Sequence, residues 1–197
     1  SGATAADDLT LNATVTATGG NGAITLNAGD SIIHNAVGDV SAAGSGAIDY
    51  NAGTGTTTGV ITMADGATAS TATGVTTMDA DGDITLGQII TGNTTMAAVT
   101  ITSTAGGLVD GGDTGGEDIV ANAVGARVTI DAVTGVGSAG GAGADSDIET
   151  TIAALDVDNV DKTVAADDAS GNIRIDESDD LILIHADNDA DAIVLGD

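Results

Sequence analysis

The sequence predicts an all-β fold in which short parallel strands stack as the turns of a β-solenoid. Strand-like segments of the form Gly-x-Ile-x-Leu recur along the chain, mostly at gaps between the low teens and the high twenties. The chain of 197 residues has one aromatic residue, Tyr50, and no Pro. A narrow coil has little room for aromatic rings, and coil stacking requires nearly every strand N–H, which Pro lacks.

Each recurrent segment places apolar residues two apart, so one face of the strand points inward and the other outward. No sustained helical spacing of apolar residues accompanies them. A coil of roughly 20–25 residues cannot bury its apolar face alone, so about eight or nine stacked coils are expected. In chain order the segments are GAITL (22–26), GAIDY (46–50), GVITM (59–63), GDITL (82–86), GARVTI (125–130), GNIRI (171–175) and DAIVL (191–195).

The corners between strands are expected at Gly, Asn and Asp, which supply the left-handed backbone angles of tight bends. The chain contains 30 Gly, spread between short β-branched runs. An antiparallel β-sandwich of the kind found in adhesin repeats is the alternative fold. That alternative predicts more aromatic and Pro residues than this chain contains.

The two ends of the sequence share a pattern that predicts an internal repeat. Asp-Asp-Leu-x-Leu begins at Asp7 and again at Asp179, and both copies continue to Ala-Ile-x-Leu and Gly-Asp. We therefore expect residues 1–197 to form one solenoid domain. It would hold about one 172-residue period (roughly 7–178) and the start of the next (179–197).

The charge balance excludes several classes of partner. The chain has 30 acidic residues against 3 basic ones, giving a net charge of −27. Nucleic-acid binding requires a cationic stripe, and attraction to anionic membranes requires basic clusters. No 18-residue apolar run exists, so membrane insertion is not expected. Such a surface repels itself and attracts cations.

Two acidic triplets are the candidate metal ligands. Asp79, Asp81 and Asp83 precede the strand at Ile84, and Asp187, Asp189 and Asp191 precede the strand at Ile193. Ca²⁺ prefers six to eight oxygen ligands, which alternating Asp residues around a turn can supply. The alternative interpretation is a solvated, metal-free acidic turn at a solenoid corner.

Other chemistry has little support in the sequence, and no enzymatic activity is expected. His34 and His185 each end an apolar run, which favours equivalent repeat positions over a catalytic pair. Thr residues alternate in 14–18 and 100–104, but ice binding would require this motif on consecutive coils, and no such spacing is evident. Arg127 and Arg174 lie at outward strand positions, where each is expected to pair with an Asp of an adjacent coil.

Residues 135–159 and 170–184 resemble the long repeats of filamentous-haemagglutinin-like bacterial surface proteins. The shared features are a Gly-rich opening, an Asp-Ile-x-Thr run, and Gly-Asn-Ile-x-Ile-x-Glu followed by Asp-Asp-Leu. Where the family's repeats open with a Gly-Ile-Gly-Ser-type sequence, this chain has Val136 in place of the Ile. Asp156 stands where these repeats commonly have a small residue. The resemblance implies a right-handed parallel β-helix, secretion across a bacterial envelope, and a role as an adhesin, surface layer or fibre.

These observations predict a structural repeat of a secreted surface rod or extracellular filament, stacking end to end with copies of itself. The alternative is an adhesin module at the bacterial cell surface, with a calcium-stabilised surface that recognises a carbohydrate or protein. Segments 106–118 and 156–169 are longer than corners require. They are the expected loops of such a binding module.

Overall fold

The computed structural model describes residues 7–53, 58–112, 116–137, 146–160, 170–188 and 193–196. Within these residues the chain forms short strands, numbered β1 to β20 in chain order, and no helix. All the strand pairs are parallel.

The strands form three sheets, which are the three faces of one coil. The five-stranded sheet contains β1 (Leu9–Leu11), β4 (Ile32–His34), β7 (Ile61–Met63), β10 (Ile84–Leu86) and β13 (Leu108–Asp110). The eight-stranded sheet contains β2 (Val15–Ala17), β5 (Val40–Ala42), β8 (Thr68–Thr71), β11 (Gln88–Thr91), β14 (Ile119–Ala121), β16 (Ile148–Ile152), β18 (Ile173–Glu177) and β20 (Ile193–Gly196). The seven-stranded sheet contains β3 (Ile24–Asn27), β6 (Ile48–Asn51), β9 (Thr76–Ala80), β12 (Val99–Ser103), β15 (Val128–Ala132), β17 (Ala154–Asn159) and β19 (Ile182–Asn188).

The predicted β-solenoid is confirmed, and its architecture is consistent with a right-handed parallel β-helix. The eight strands of the largest sheet mark eight passes of the coil, close to the eight or nine coils that the sequence predicts, although several coils are longer than 20–25 residues. Ala69 pairs with Ile89 across one of the shortest coils, whereas Ile119 pairs with Thr150 across a much longer one. At the usual interstrand distance, eight stacked strands give a stack roughly 34 Å long.

Stacked apolar side chains fill the interior of the coil. In the seven-stranded sheet one inward column runs through Ile48, Val99, Val128 and Leu155, all with no exposed surface. Thr76 occupies the same column between Ile48 and Val99. Complete burial of each Val, Leu or Ile stabilises the fold by about 1.5–3 kcal/mol. The core is therefore stabilised by many small burial contributions that recur in each coil.

The corners account for the variation in coil length. One residue, Gly87, separates β10 from β11, whereas eight residues, 111–118, separate β13 from β14 in the next coil. Among the described residues, positive φ angles occur only at Gly, for example at Gly44 (+59°) and Gly66 (+78°). The expectation that Asn and Asp would also adopt left-handed angles at the corners is thus wrong for the described residues.

The two ends of the predicted 172-residue period lie on different faces of the coil. Leu9 belongs to the five-stranded sheet, whereas Leu183 belongs to the seven-stranded sheet. Ile24 and Ile193 likewise lie in the seven-stranded and eight-stranded sheets. The sequence similarity therefore joins segments that are not superimposed along the solenoid axis, and the period stays a prediction.

Part of each predicted binding loop is a regular strand of the coil. Leu108–Asp110 is β13, and residues 156–159 belong to β17. Residues 113–115 and 161–169, the remaining central parts of these segments, lie outside the described residues.

Candidate functional site

The carboxylates of the first acidic triplet point to different partners. Asp79 is exposed on β9, where partial burial and the charge of Asp81 raise its pKa. Oδ1 of Asp81 accepts a hydrogen bond from the Thr104 hydroxyl at 3.4 Å, and Oδ1 of Asp83 accepts one from the Gly107 N–H at 2.9 Å. Both bonds link one coil to the next, and the three carboxylates do not form a group of ligand atoms within 4.8 Å of one another.

The second triplet is described only at its first residue. Asp187 is exposed on β19 and stands beside Asp158 of the preceding coil. Asp189 and Asp191 lie outside the described residues.

A third acidic group lies at the wide corner between β13 and β14. It consists of Asp110, Asp118 and Glu149, each of which contributes one carboxylate oxygen to a set whose members lie within 4.8 Å of one another. Asp110 ends β13, Asp118 directly precedes β14, and Glu149 lies on β16 of the following coil. We call these three residues the corner acids.

The corner acids come together because the strand register aligns them. β11, β14 and β16 pair so that Gln88, Asp118 and Glu149 occupy the same position in three successive coils. Oδ2 of Asp118 accepts a hydrogen bond from the Glu149 N–H at 3.2 Å, which fixes the spacing between these coils. The inward column of the five-stranded sheet places Asp110 after Leu86, so its carboxylate ends a row that begins with Leu11, His34 and Met63.

The environment of Asp118 disfavours the ionised form of its carboxyl group. The side chain has no exposed surface, and its Oδ1 atom has no hydrogen-bond partner within the described residues. Burial, followed by the charges of Glu149 and then Asp110, raises the pKa of Asp118 to about 9. Sequence analysis missed this group because its members are far apart in the chain. The one local signal is an acidic residue directly before the apolar run Ile119–Ala121.

The outward face of the seven-stranded sheet carries two polar columns. One runs through Thr25, Asp49, Thr77, Thr100, Thr129, Asp156 and His185, and the other through Asn27, Asn51, Asp79, Thr102, Asp131, Asp158 and Asp187. Three successive coils thus align Thr77, Thr100 and Thr129, a register that the sequence spacing did not reveal. The neighbouring column holds Thr at only one of these coils, so a continuous Thr-x-Thr array does not form.

The last coils of this face hold a second group of titratable side chains. Nδ1 of His185 lies 2.8 Å from Oδ1 of Asp158 and 3.8 Å from Oδ1 of Asp156. Arg127 approaches the other oxygen of Asp156 at 3.2 Å. This group carries its own cation in the guanidinium of Arg127. His34 lies in a different sheet from His185, so the two histidines do not occupy equivalent positions in the coil.

Both arginines pair across coils as the sequence predicts. Arg127 contacts Asp156 of the next coil, and Nε of Arg174 contacts Oδ1 of Asp147 of the preceding coil at 2.6 Å. Each pair is partly exposed, so it contributes at most about 1 kcal/mol.

No protein-family model, curated protein or solved structure matches the chain. The described part of the chain contains no helix long and apolar enough to cross a membrane. The fold itself defines the class: this is a β-solenoid protein whose parallel coils bury one continuous apolar interior.

Proposed function

We propose that this chain is a structural segment of a secreted bacterial surface rod or extracellular filament, joined end to end with like coils. The observation that carries the proposal is the apolar surface at the C-terminal end of the stack. The resemblance to filamentous-haemagglutinin-like repeats supports the surface location.

The end coil exposes residues that are buried in the coil before it. Ile193 is 42% exposed and Leu195 is 37% exposed, whereas their register partners Ile173 and Ile175 are at most 1% exposed. Leu183 is 46% exposed, and its partner Leu155 is fully buried. One further coil would cover these side chains, gaining about 1 kcal/mol for each half-exposed residue.

The first coil carries strands of the same two sheets that end at the last coil. β2 begins the eight-stranded sheet that β20 ends, and β3 begins the seven-stranded sheet that β19 ends. A second copy placed on the end coil would pair its β2 with β20 and its β3 with β19. Unpaired strand edges readily template such pairing, since their N–H and C=O groups are unsatisfied. The two sheets would then continue without interruption from one copy into the next.

The charge of the chain sets the condition for assembly. Two copies that each carry a net charge of −27 repel one another, and this repulsion is screened within about 10 Å at 0.1 M salt. End-to-end joining is therefore expected at moderate or high ionic strength, or when cations are bound.

The test is sedimentation velocity and electron microscopy of the purified chain as its concentration is raised in 0.3 M NaCl. We expect thin, unbranched filaments with a repeat of about 4.8 Å along the axis. Leu195→Lys should abolish assembly by placing a charge on the end coil. The matched control is Val124→Lys, which adds the same charge at a side chain that is 93% exposed at a corner. This control should assemble like the unmodified chain.

A chain that stays monomeric at every concentration would overturn self-assembly. It would point instead to a tethered adhesin module. Equal loss of assembly in both variants would show that added charge, rather than contact at the end coil, is responsible.

A further inference from the structure

The wide corner of the solenoid concentrates negative charge. The charges that act on Asp118 are those of Glu149 and Asp110, and both are negative. Arg174, on the next coil, contacts Asp147. A bound proton or a bound cation would relieve the repulsion among the corner acids.

The position of Asp118 favours a bound ion over hydration of its carboxylate. The side chain is completely buried, and Oδ1, which lacks a hydrogen-bond partner within the described residues, belongs to a carboxylate that faces two others. A buried polar atom without a partner costs about 1–3 kcal/mol. Coordination of an ion by this oxygen would remove that cost.

The spacing of the oxygens matches one bound ion. Ca²⁺ binds oxygen at 2.3–2.6 Å, so two ligands of the same ion lie no more than about 5 Å apart. The three carboxylates satisfy this limit, since one oxygen of each lies within 4.8 Å of one oxygen of each of the others.

We propose that Asp110, Asp118 and Glu149 bind a divalent cation of the Ca²⁺ type, which clamps the wide corner of one coil to the strand of the next. All three ligands are carboxylates, which favours Ca²⁺ or Mg²⁺ over Zn²⁺, for which His and Cys are the usual ligands. Ligands drawn from a strand end, a corner and a neighbouring strand form an irregular set. Ca²⁺ tolerates such a set, whereas Mg²⁺ demands a near-ideal octahedron.

The ion would have a mechanical role. One residue, Gly87, joins β10 to β11, whereas eight positions, 111–118, lie between β13 and β14. An ion between Asp118 and Glu149 would hold the start of β14 against β16 after this longer connection. The site is separate from the end-coil surface, so it can exist whether or not the chain assembles.

The experiment is calorimetric titration of the chain with CaCl₂ in 0.15 M NaCl at pH 7.5, where diffuse binding to the acidic surface is screened. We expect one site that is resolved from this background. Asp118→Asn should weaken its affinity by at least about tenfold. The matched control is Asp39→Asn, which removes the same charge at the same column position. Oδ1 of Asp39 accepts a hydrogen bond from the Thr68 N–H at 3.2 Å. Unlike Asp118, Asp39 belongs to no group of three acidic ligand atoms among the described residues.

A second measurement keeps the test independent of variant folding. Urea denaturation without Ca²⁺ shows whether each variant still unfolds cooperatively, and the rise in the free energy of unfolding when Ca²⁺ is added reports binding to the folded state. The unmodified chain and Asp39→Asn should gain this stability, and Asp118→Asn should lose most of it.

Two outcomes would overturn the proposal. One is equal Ca²⁺ binding by Asp118→Asn, Asp39→Asn and the unmodified chain. The other is an equal rise in the free energy of unfolding on adding Ca²⁺ for all three chains. Either result would show that the corner acids hold no specific ion.

Discussion

The hydroxyl of Tyr50 lies 3.1 Å from Nδ1 of His34, across the interior of the solenoid. Both side chains have no exposed surface, and their rings stack at 6.0 Å with an interplanar angle of 21°. His34 stands in the column of Leu11 and Met63, and Tyr50 in the column of Leu26 and Met78. Two polar side chains thus occupy positions that are apolar in the adjacent coils of two facing columns. Nε2 of His34 has no hydrogen-bond partner among the described residues.

This pair predicts a loss of stability in mild acid. Burial lowers the pKa of His34 below 6.5, outweighing the opposite effects of the nearby Gly38 backbone and of the charge of Asp39. The unfolded state therefore takes up the proton first as the pH falls. The stability contributed by neutral His34 is present above pH 6.5 and is lost as the pH falls through the folded pKa.

The check is urea denaturation between pH 5 and 7.5. The double variant His34→Leu/Tyr50→Phe should lose this component of the pH dependence, because both columns become apolar. The single variant Tyr50→Phe leaves Nδ1 of His34 without its partner, and it should lower the free energy of unfolding by about 1–3 kcal/mol. Parallel pH profiles for the unmodified chain and the double variant would contradict this account.

Gly74 is predicted to tolerate no side chain. A Cβ at this position would collide with the backbone oxygen of Gly46 in the preceding coil. Gly74→Ala should therefore displace the backbone and lower the free energy of unfolding by about 1–3 kcal/mol or more. Gly19→Ala is the control, because a Cβ there meets nothing within 4 Å. Similar unfolding midpoints for both variants would contradict the close approach of the coils.

Arg127 and Asp156 should show only weak coupling. Their charged groups lie 3.2 Å apart, but the side chains are 29% and 25% exposed, so water screens the pair. A double-mutant cycle with Arg127→Ala and Asp156→Ala should give a coupling of about 0–1 kcal/mol in the free energy of unfolding. The coupling should shrink in 0.5 M NaCl. A coupling above about 2 kcal/mol would indicate that the pair is more deeply desolvated than its exposure indicates.

Monovalent salt should stabilise the folded chain. With 30 acidic and 3 basic residues, repulsion between carboxylates is greater in the compact state than in the expanded one. The melting temperature measured with a chelator present should rise as NaCl increases from about 10 mM to about 500 mM. A melting temperature that falls over this range would mean that ion pairs outweigh the repulsion.

The sequence pattern located strands well but did not assign them to sheets. All seven Gly-x-Ile-x-Leu segments contain a strand, yet β7 and β10 lie in the five-stranded sheet while β3, β6 and β15 lie in the seven-stranded one. The same alternation suits any face of the coil, because it encodes only inward and outward positions. The assignment depends on corner lengths, which are set by contacts with other coils.

The corner acids illustrate a second limit of the sequence. Asp118 and Glu149 are 31 positions apart, and their contact depends on a register that includes the long corner. The alternating triplet at Asp79, Asp81 and Asp83 is conspicuous because its members are close in sequence. In a strand, however, residues two apart are separated by roughly 6–7 Å along the chain, and neighbouring corners take up their side chains. Proximity across coils, rather than along the chain, brings acidic groups together in this fold.

The contrast between the one-residue corner at Gly87 and the eight-residue corner at 111–118 has a consequence for redesign. Both corners join a strand of the five-stranded sheet to a strand of the eight-stranded sheet, and the eight-stranded sheet keeps its pairing through β11, β14 and β16. The ladder therefore accepts additional chain at a corner without a change of register. Foreign peptides could be grafted at this edge of the coil and displayed at heights set by coil number, which would make the solenoid a scaffold with addressable positions.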